Sequence, residues 1–251
     1  MIKGIIFDLG NTLLRFGGEE EAIARVGAEA MASWYFTKIH IMLDQEALVE
    51  VFLRQRAADR QHAVQTHIEV TARQSLSEAL RQTDAPPATL PLVEPAIKVF
   101  FALEESLWQC YPDTVATLKQ FYQSGYRLGL YSNATDDPLI QRLVNQNGLR
   151  PWLSPTFSSA GWGWRKPKAE PFELIARRWG LRPGEVVVVG DTLNADILGA
   201  QRAGMHSILV TMDEAPSNEA NRHIHPDAVA DSLAALPEIV TGLGGGGKCE
   251  A

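Results

Sequence analysis

The chain has 251 residues, more than one minimal domain and fewer than two full-sized ones, which predicts a large domain carrying a smaller insertion. Apolar residues make up 45% and charged residues 21%, so a sizeable core can form and an intrinsically disordered or fibrous chain is excluded. Lys plus Arg number 23 against 30 Asp plus Glu, and the net charge of −7 without a basic patch argues against a nucleic-acid partner.

No apolar run approaches the roughly 18 residues of a membrane span. Met1-Ile2-Lys3 does not open a secretory signal. Cys110 and Cys249 make no disulfide framework, so a cytoplasmic setting is expected. No signal for an oligomeric state is present.

In chain order, Ile2 to Phe7 reads as a buried strand. Residues 17–108 follow with helical periodicity, many Ala, Glu, Gln and Arg, and hardly any β-branched run, which predicts an all-helical insertion. Within it Asp44 is the expected N-cap of a helix through Leu48, Val51, Phe52 and Arg56, and Pro86-Pro87 to Pro91 should break the helical run. From Tyr111 onward one cadence repeats: an amphipathic stretch, a glycine suited to end a helix in the left-handed conformation, and a short apolar run. Helices are expected over Asp113 to Ser124, Pro138 to Asn147, Glu170 to Trp179 and Ala195 to Ala203, and strands over Arg127 to Tyr131, Glu185 to Val189 and His206 to Thr211. Such alternation implies an α/β fold with a doubly wound, Rossmann-like parallel sheet. The core should comprise residues 1–16 and 109–240, the helical cap 17–108, and a flexible Gly-rich tail 241–251.

Ligands of such sheets bind outside the carboxyl ends of the strands, and polar residues gather in those positions. Asp8 follows the first strand, Ser132 and Asn133 the second, and Asp191 the third, with Asp196 five residues on; Lys166 lies in a loop before the third strand. This is the set that phosphoryl transfer through an aspartyl-phosphate requires. A carboxylate can attack phosphorus, but the two anions repel, so Mg²⁺ must bridge them. Asp191 would add charge for the ion, Ser132 and Asn133 would hold phosphoryl oxygens, Lys166 would neutralise them, and Asp196 would orient Lys166 or a metal-bound water.

These residues resemble the haloacid dehalogenase-like hydrolases, in particular the phosphatase-like members with a helical cap after the first strand. Four motifs carry the resemblance: Phe7-Asp8-Leu9-Gly10-Asn11-Thr12, Tyr131-Ser132-Asn133, Lys166-Pro167 and Gly190-Asp191-Thr192-Leu193-Asn194-Ala195-Asp196. The resemblance implies that Asp8 is nucleophile and metal ligand, that the Gly10 carbonyl and Asp191 complete the protein's Mg²⁺ ligands, and that the cap selects a small phosphorylated metabolite. One departure stands out, because Gly10 replaces the acid/base Asp of most family phosphatases. Its loss removes a contribution of roughly 10²–10⁴-fold, which leaves three readings: a substitute group or restricted leaving groups, a Mg²⁺- and phosphate-binding scaffold without turnover, or a metal-independent 2-haloacid dehalogenase.

Weaker features take plainer readings. Thr12 orients its loop or packs. Trp162 and Trp164 pack, His223 and His225 lie in a loop, and His40, His62, His67, Arg54 and Arg56 read as a solvated helix face.

Overall fold

The computed structural model describes residues 1–40, 44–83, 85, 90–213 and 215–245. Strand β1 (Gly4–Phe7) is followed by β2 (Leu14–Phe16), then by helices α1 (Glu20–Ile39), α2 (Gln45–Thr66), α3 (Ala72–Gln82) and α4 (Leu90–Leu107). The chain returns through β3 (Trp108–Cys110) into α5 (Thr114–Gln123), β4 (Arg127–Ser132), α6 (Asp137–Gln146), β5 (Thr156–Ser158), α7 (Ser159–Trp162) and α8 (Glu170–Trp179). Then come β6 (Val186–Gly190), α9 (Leu198–Arg202), β7 (His206–Val210), β8 (Ala228–Ala230) and α10 (Leu236–Gly245).

Six strands form one parallel sheet in the order β5-β4-β1-β6-β7-β8. Alternate side chains feed opposite faces. Ile5, Phe7, Val187 and Val189 join Leu118 and Phe121 of α5 and Leu143 of α6, whereas Ile6, Val186 and Val188 join Phe172 and Ile175 of α8 and Ala200 of α9. A strand buried on both faces must be apolar throughout, which is why Val186 to Val189 contain no polar residue. The chain winds outward from β1 through β4 and β5, then restarts at β6 on the other side, so the strand order switches between β4 and β6. Loops diverge there and leave a crevice at the carboxyl end of β1.

Helices α1 to α4 form the helical cap. Asp44 accepts from the Ala47 N–H at 3.1 Å and caps α2 as expected. Thr71 and Gln74 form a reciprocal capping box that starts α3. Residues 86–89, in the expected proline break, lie outside the described residues, and Pro91 and Pro95 fall within the span of α4.

Several elements depart from the sequence reading. β2 and β3 pair antiparallel where the chain leaves and re-enters the core, and the sheet gains β5 and β8, each 3 residues long. Three residues cannot establish a period-2 pattern. The expected helix over Ala195 to Ala203 is instead a π-helical turn, Leu193–Ile197, followed by α9. Residues 241–245, expected in the flexible tail, are the end of α10, while 246–251 lie outside the described residues.

Candidate active site

The crevice gathers Asp8, Ser132, Asn133, Lys166, Asp191 and Asp196 around one cavity of about 380 Å³. β1 ends at Phe7, which delivers Asp8 to the sheet edge; β4 ends on Ser132; β6 ends on Gly190 and delivers Asp191. Asp196 is brought back by the π-helical turn. Gly190 makes room for it, since a Cβ there would stand 2.2 Å from the Asp196 Cγ.

Lys166 holds the centre. Its ammonium donates to Asp8 Oδ1 at 2.5 Å and Asp196 Oδ1 at 2.6 Å, and its side chain is only 3% exposed. Burial alone would lower its pKa, but the carboxylates of Asp196 and Asp8 more than offset this and hold it above the ordinary lysine value. The opposite strain falls on the acids. Burial, with the neighbouring charge of Asp8, pushes Asp191 up to about 7. Asp196 is raised to about 6, again chiefly by burial, against the opposing pull of Lys166. Thr192 donates its hydroxyl to Asp191 Oδ1 at 3.0 Å and its N–H to Asp196 Oδ2 at 3.1 Å.

Asp8, Asp191 and Asp196 present oxygens within 4.8 Å of one another. With one ammonium for three carboxylates, the charge at this point is uncompensated, and Asp191 forms no ion pair among the described residues. All-oxygen donors with excess negative charge suit a hard divalent cation such as Mg²⁺.

Asn133 is committed to the neighbouring loop: its Oδ1 accepts from the Lys166 N–H at 2.8 Å and its Nδ2 donates to the Lys166 carbonyl at 3.3 Å. These two bonds tie Asn133 to the Lys166 backbone, and the residue also lines the cavity. Thr12 is fully buried, and its hydroxyl has no hydrogen-bond partner among the described residues, which fits the packing reading. Ser132 is buried and lines the cavity.

Gly10 lines the same cavity, and the space above it is occupied. A Cβ at Gly10 would lie 3.0 Å from Cη2 of Trp108, so the indole ring fills the direction a side chain would take. Trp108, carried by β3, thus lines the site, together with Phe16 and Phe101. Trp162 packs on Phe157 with ring centres 4.9 Å apart, and Trp164 lies under the Lys168 ammonium, 4.2 Å from the ring centre. His223 and His225 join no metal-ligand cluster among the described residues.

Sequence reasoning missed Glu69. It enters from the segment between α2 and α3, with a side chain 1% exposed, and accepts from Arg165 Nη1 at 2.6 Å and from the Ser159 hydroxyl. Backbone bonds run alongside, from Glu69 N–H to the Gly163 carbonyl at 2.8 Å and from Arg165 N–H to the His67 carbonyl at 3.0 Å. Ser159 also bonds Ala134, so Glu69 braces both the Lys166 loop and the loop after Ser132. Asn218 was also missed; it donates to the Asp191 carbonyl at 2.8 Å and accepts from the Leu193 N–H. Neither residue lies in a recognisable motif, and no local signal marks either.

A family described as haloacid dehalogenase-like hydrolases matches residues 2–204. The chain belongs to that family. The helical cap and the six-stranded parallel sheet are those of a haloacid dehalogenase-like hydrolase. Among relatives, the glyceraldehyde 3-phosphate phosphatase of Methanothermobacter thermautotrophicus is 26% identical over 242 residues, 96% of this chain and 100% of its own. That of Methanopyrus kandleri is 28% identical over 97% of this chain and 99% of its own. Among solved structures, a 2-haloacid dehalogenase from Pseudomonas syringae superposes with a TM-score of 0.68 at 26% identity, covering 96% of this chain and 99% of that one. No helix among the described residues of this hydrolase is long and apolar enough to cross a membrane.

Proposed function

We propose that this hydrolase is a Mg²⁺-dependent phosphatase that releases phosphate from a small phosphorylated metabolite through an aspartyl-phosphate on Asp8. The observation that carries the reading is the shared ammonium of Lys166 between Asp8 and Asp196, with Asp191 beside them and charge left over for a divalent cation. The two full-length relatives named as phosphatases support the same chemistry. On this reading the core is residues 1–16 and 109–240 and the cap 17–108.

Asp8, the Gly10 carbonyl and Asp191 would hold Mg²⁺, which when bound neutralises the negative charge between carboxylate and phosphate. Asp8 attacks phosphorus as the ester oxygen departs; Ser132 and Lys166 stabilise the charge on the phosphoryl oxygens. Lys166 also orients Asp8 through its hydrogen bond, and Asp196 holds Lys166 in place. Water then cleaves the aspartyl-phosphate, freeing phosphate and restoring the Asp8 carboxylate. With Gly10 lacking an acid and Trp108 standing over it, leaving groups that need no protonation are favoured.

The test is phosphate release from acetyl phosphate and p-nitrophenyl phosphate with Mg²⁺ or with EDTA. Turnover should require Mg²⁺ and vanish in Asp8→Asn, whereas equal rates in the variant reject the nucleophile. Likeness to a structure named as a 2-haloacid dehalogenase supports a second reading, in which Asp8 attacks carbon; halide release from a 2-haloacid without metal would establish it. Bound Mg²⁺ and phosphate with no turnover on any substrate would instead mark a scaffold.

A further inference from the structure

Arg56 of α2 does not lie on a solvated helix face as its sequence context suggests. It lines the same cavity as Asp8, at the cap end, and its guanidinium carbon stands 4.5 Å from the ring centre of Phe100, 5.6 Å from Phe101 and 5.9 Å from Phe52. The surrounding packing is dense enough that burial holds its pKa below the ordinary arginine value. Among the described residues it makes neither a hydrogen bond nor an ion pair.

The other charges nearby are accounted for. Arg60 is bound to Glu20 at 2.5 Å. Glu104 receives the Trp108 Nε1–H at 3.5 Å; its charge and that of Glu20 act on Arg56 through space, but among the described residues neither carboxylate forms an ion pair with it. Aromatic faces offset part of the cost of desolvating a guanidinium, but they leave its in-plane N–H donors unspent. A planar fork of charged donors facing a small cavity is suited to a carboxylate or phosphate, which can take two parallel hydrogen bonds. At about 380 Å³ the cavity is of the size that encloses one small molecule.

We infer that Arg56 forms a distal anion subsite, which selects phosphate monoesters carrying a second anionic group, a carboxylate or another phosphate, at the end away from Asp8. This rests on the phosphatase reading and deepens it by naming the substrate class. Arg56 is a specificity residue here, remote from the reacting atoms.

The experiment uses the full chain with Mg²⁺ and compares 2-phosphoglycolate and propane-1,3-diol bisphosphate with ethyl and propyl phosphate. The wild type should favour at least one doubly anionic compound over its neutral-tailed partner by about tenfold or more in kcat/KM. Arg56→Gln should remove about 10- to 100-fold from that substrate, mainly through KM, and leave the neutral-tailed esters within about twofold. Arg56→Lys should restore part of the loss. Arg56→Met, which keeps the apolar stem over Phe100, serves if the Gln variant fails to fold. The arm that responds identifies carboxylate or phosphate as the group read.

No preference in the wild type, or an equal fall on charged and neutral tails, overturns the subsite. If no ester is hydrolysed and acetyl phosphate also survives, the phosphatase reading fails, and calorimetric binding of the same four compounds then decides the subsite by itself. Binding of a doubly anionic compound that weakens about tenfold in Arg56→Gln sustains it, while Arg56-independent binding, or none, removes it.

Discussion

Asp191 differs from its neighbours in forming no ion pair among the described residues. The ammonium of Lys166 is shared by Asp8 and Asp196, and Asp191 is left raised to about 7, first by burial and then by the charge of Asp8. A carboxylate whose folded pKa lies above its unfolded value binds protons more tightly when folded. Its stabilising contribution is therefore complete below the unfolded value and is lost as pH rises through the folded one. For Asp191 that window runs from about pH 4 to about 7. Metal-free protein should lose stability across it. Asp191→Asn should raise the Tm measured in EDTA at pH 8, by on the order of 2 kcal/mol in unfolding free energy, and change little at pH 4. A cation competes with the proton for this carboxylate, so calorimetric Mg²⁺ affinity should fall as pH drops below about 7 and disappear in the same variant. An unchanged Tm at pH 8 would show that the carboxylate is not held at a cost. The motif around Gly190 and Asp196 was legible because its members are near in sequence; the uncompensated charge was not, because it depends on Asp8, 183 positions before Asp191.

At the scale of elements, the β2–β3 ribbon decides what Gly10 can become. Trp108 Cη2 and Cζ3 would stand 3.0 and 3.4 Å from a Cβ at Gly10, and a carboxylate would extend further into the ring. Gly10→Asp alone should therefore cost about 1–3 kcal/mol of stability in urea denaturation and leave hydrolysis of alkyl phosphates unimproved. Combined with Trp108→Ala, which opens the space, it should raise the kcat/KM ratio of ethyl phosphate to acetyl phosphate by about 100-fold, the lower end of what an acid/base group contributes. If the single substitution already gave that gain, the ring would not be the obstacle. The sequence marked Gly10 as a departure, and it also carried the long helices and the central strands, whose periodicity is extended over many residues. It was silent on the ribbon, because Leu14–Phe16 and Trp108–Cys110 are each too short for a pattern and are separated in sequence by the four helices α1 to α4.

For the whole molecule, the contact that matters most to the site is the buried pair of Glu69 and Arg165, which joins the cap segment after α2 to the Lys166 loop. Removing one partner leaves the other charged and buried, so Glu69→Ala should cost about 3 kcal/mol. Adding Arg165→Met should recover part of this, because an apolar pair avoids the uncompensated charge; urea denaturation of the two variants and the wild type measures it. An additive or worse double variant would show that the pair is not coupled. The order of helices, glycines and apolar runs by itself determined a doubly wound parallel sheet, since each crossover must return over a sheet buried on both faces, and that topology alone placed Asp8, Ser132 and Asp191 at one edge. Only the tertiary structure decided that Trp108 covers Gly10, that Glu69 braces Arg165, and that Arg56 rests on Phe100 beside the cavity. These partners stand 98, 96 and 44 positions apart. Local propensity acts over a few residues, so contacts at such separations are settled by how complete elements pack.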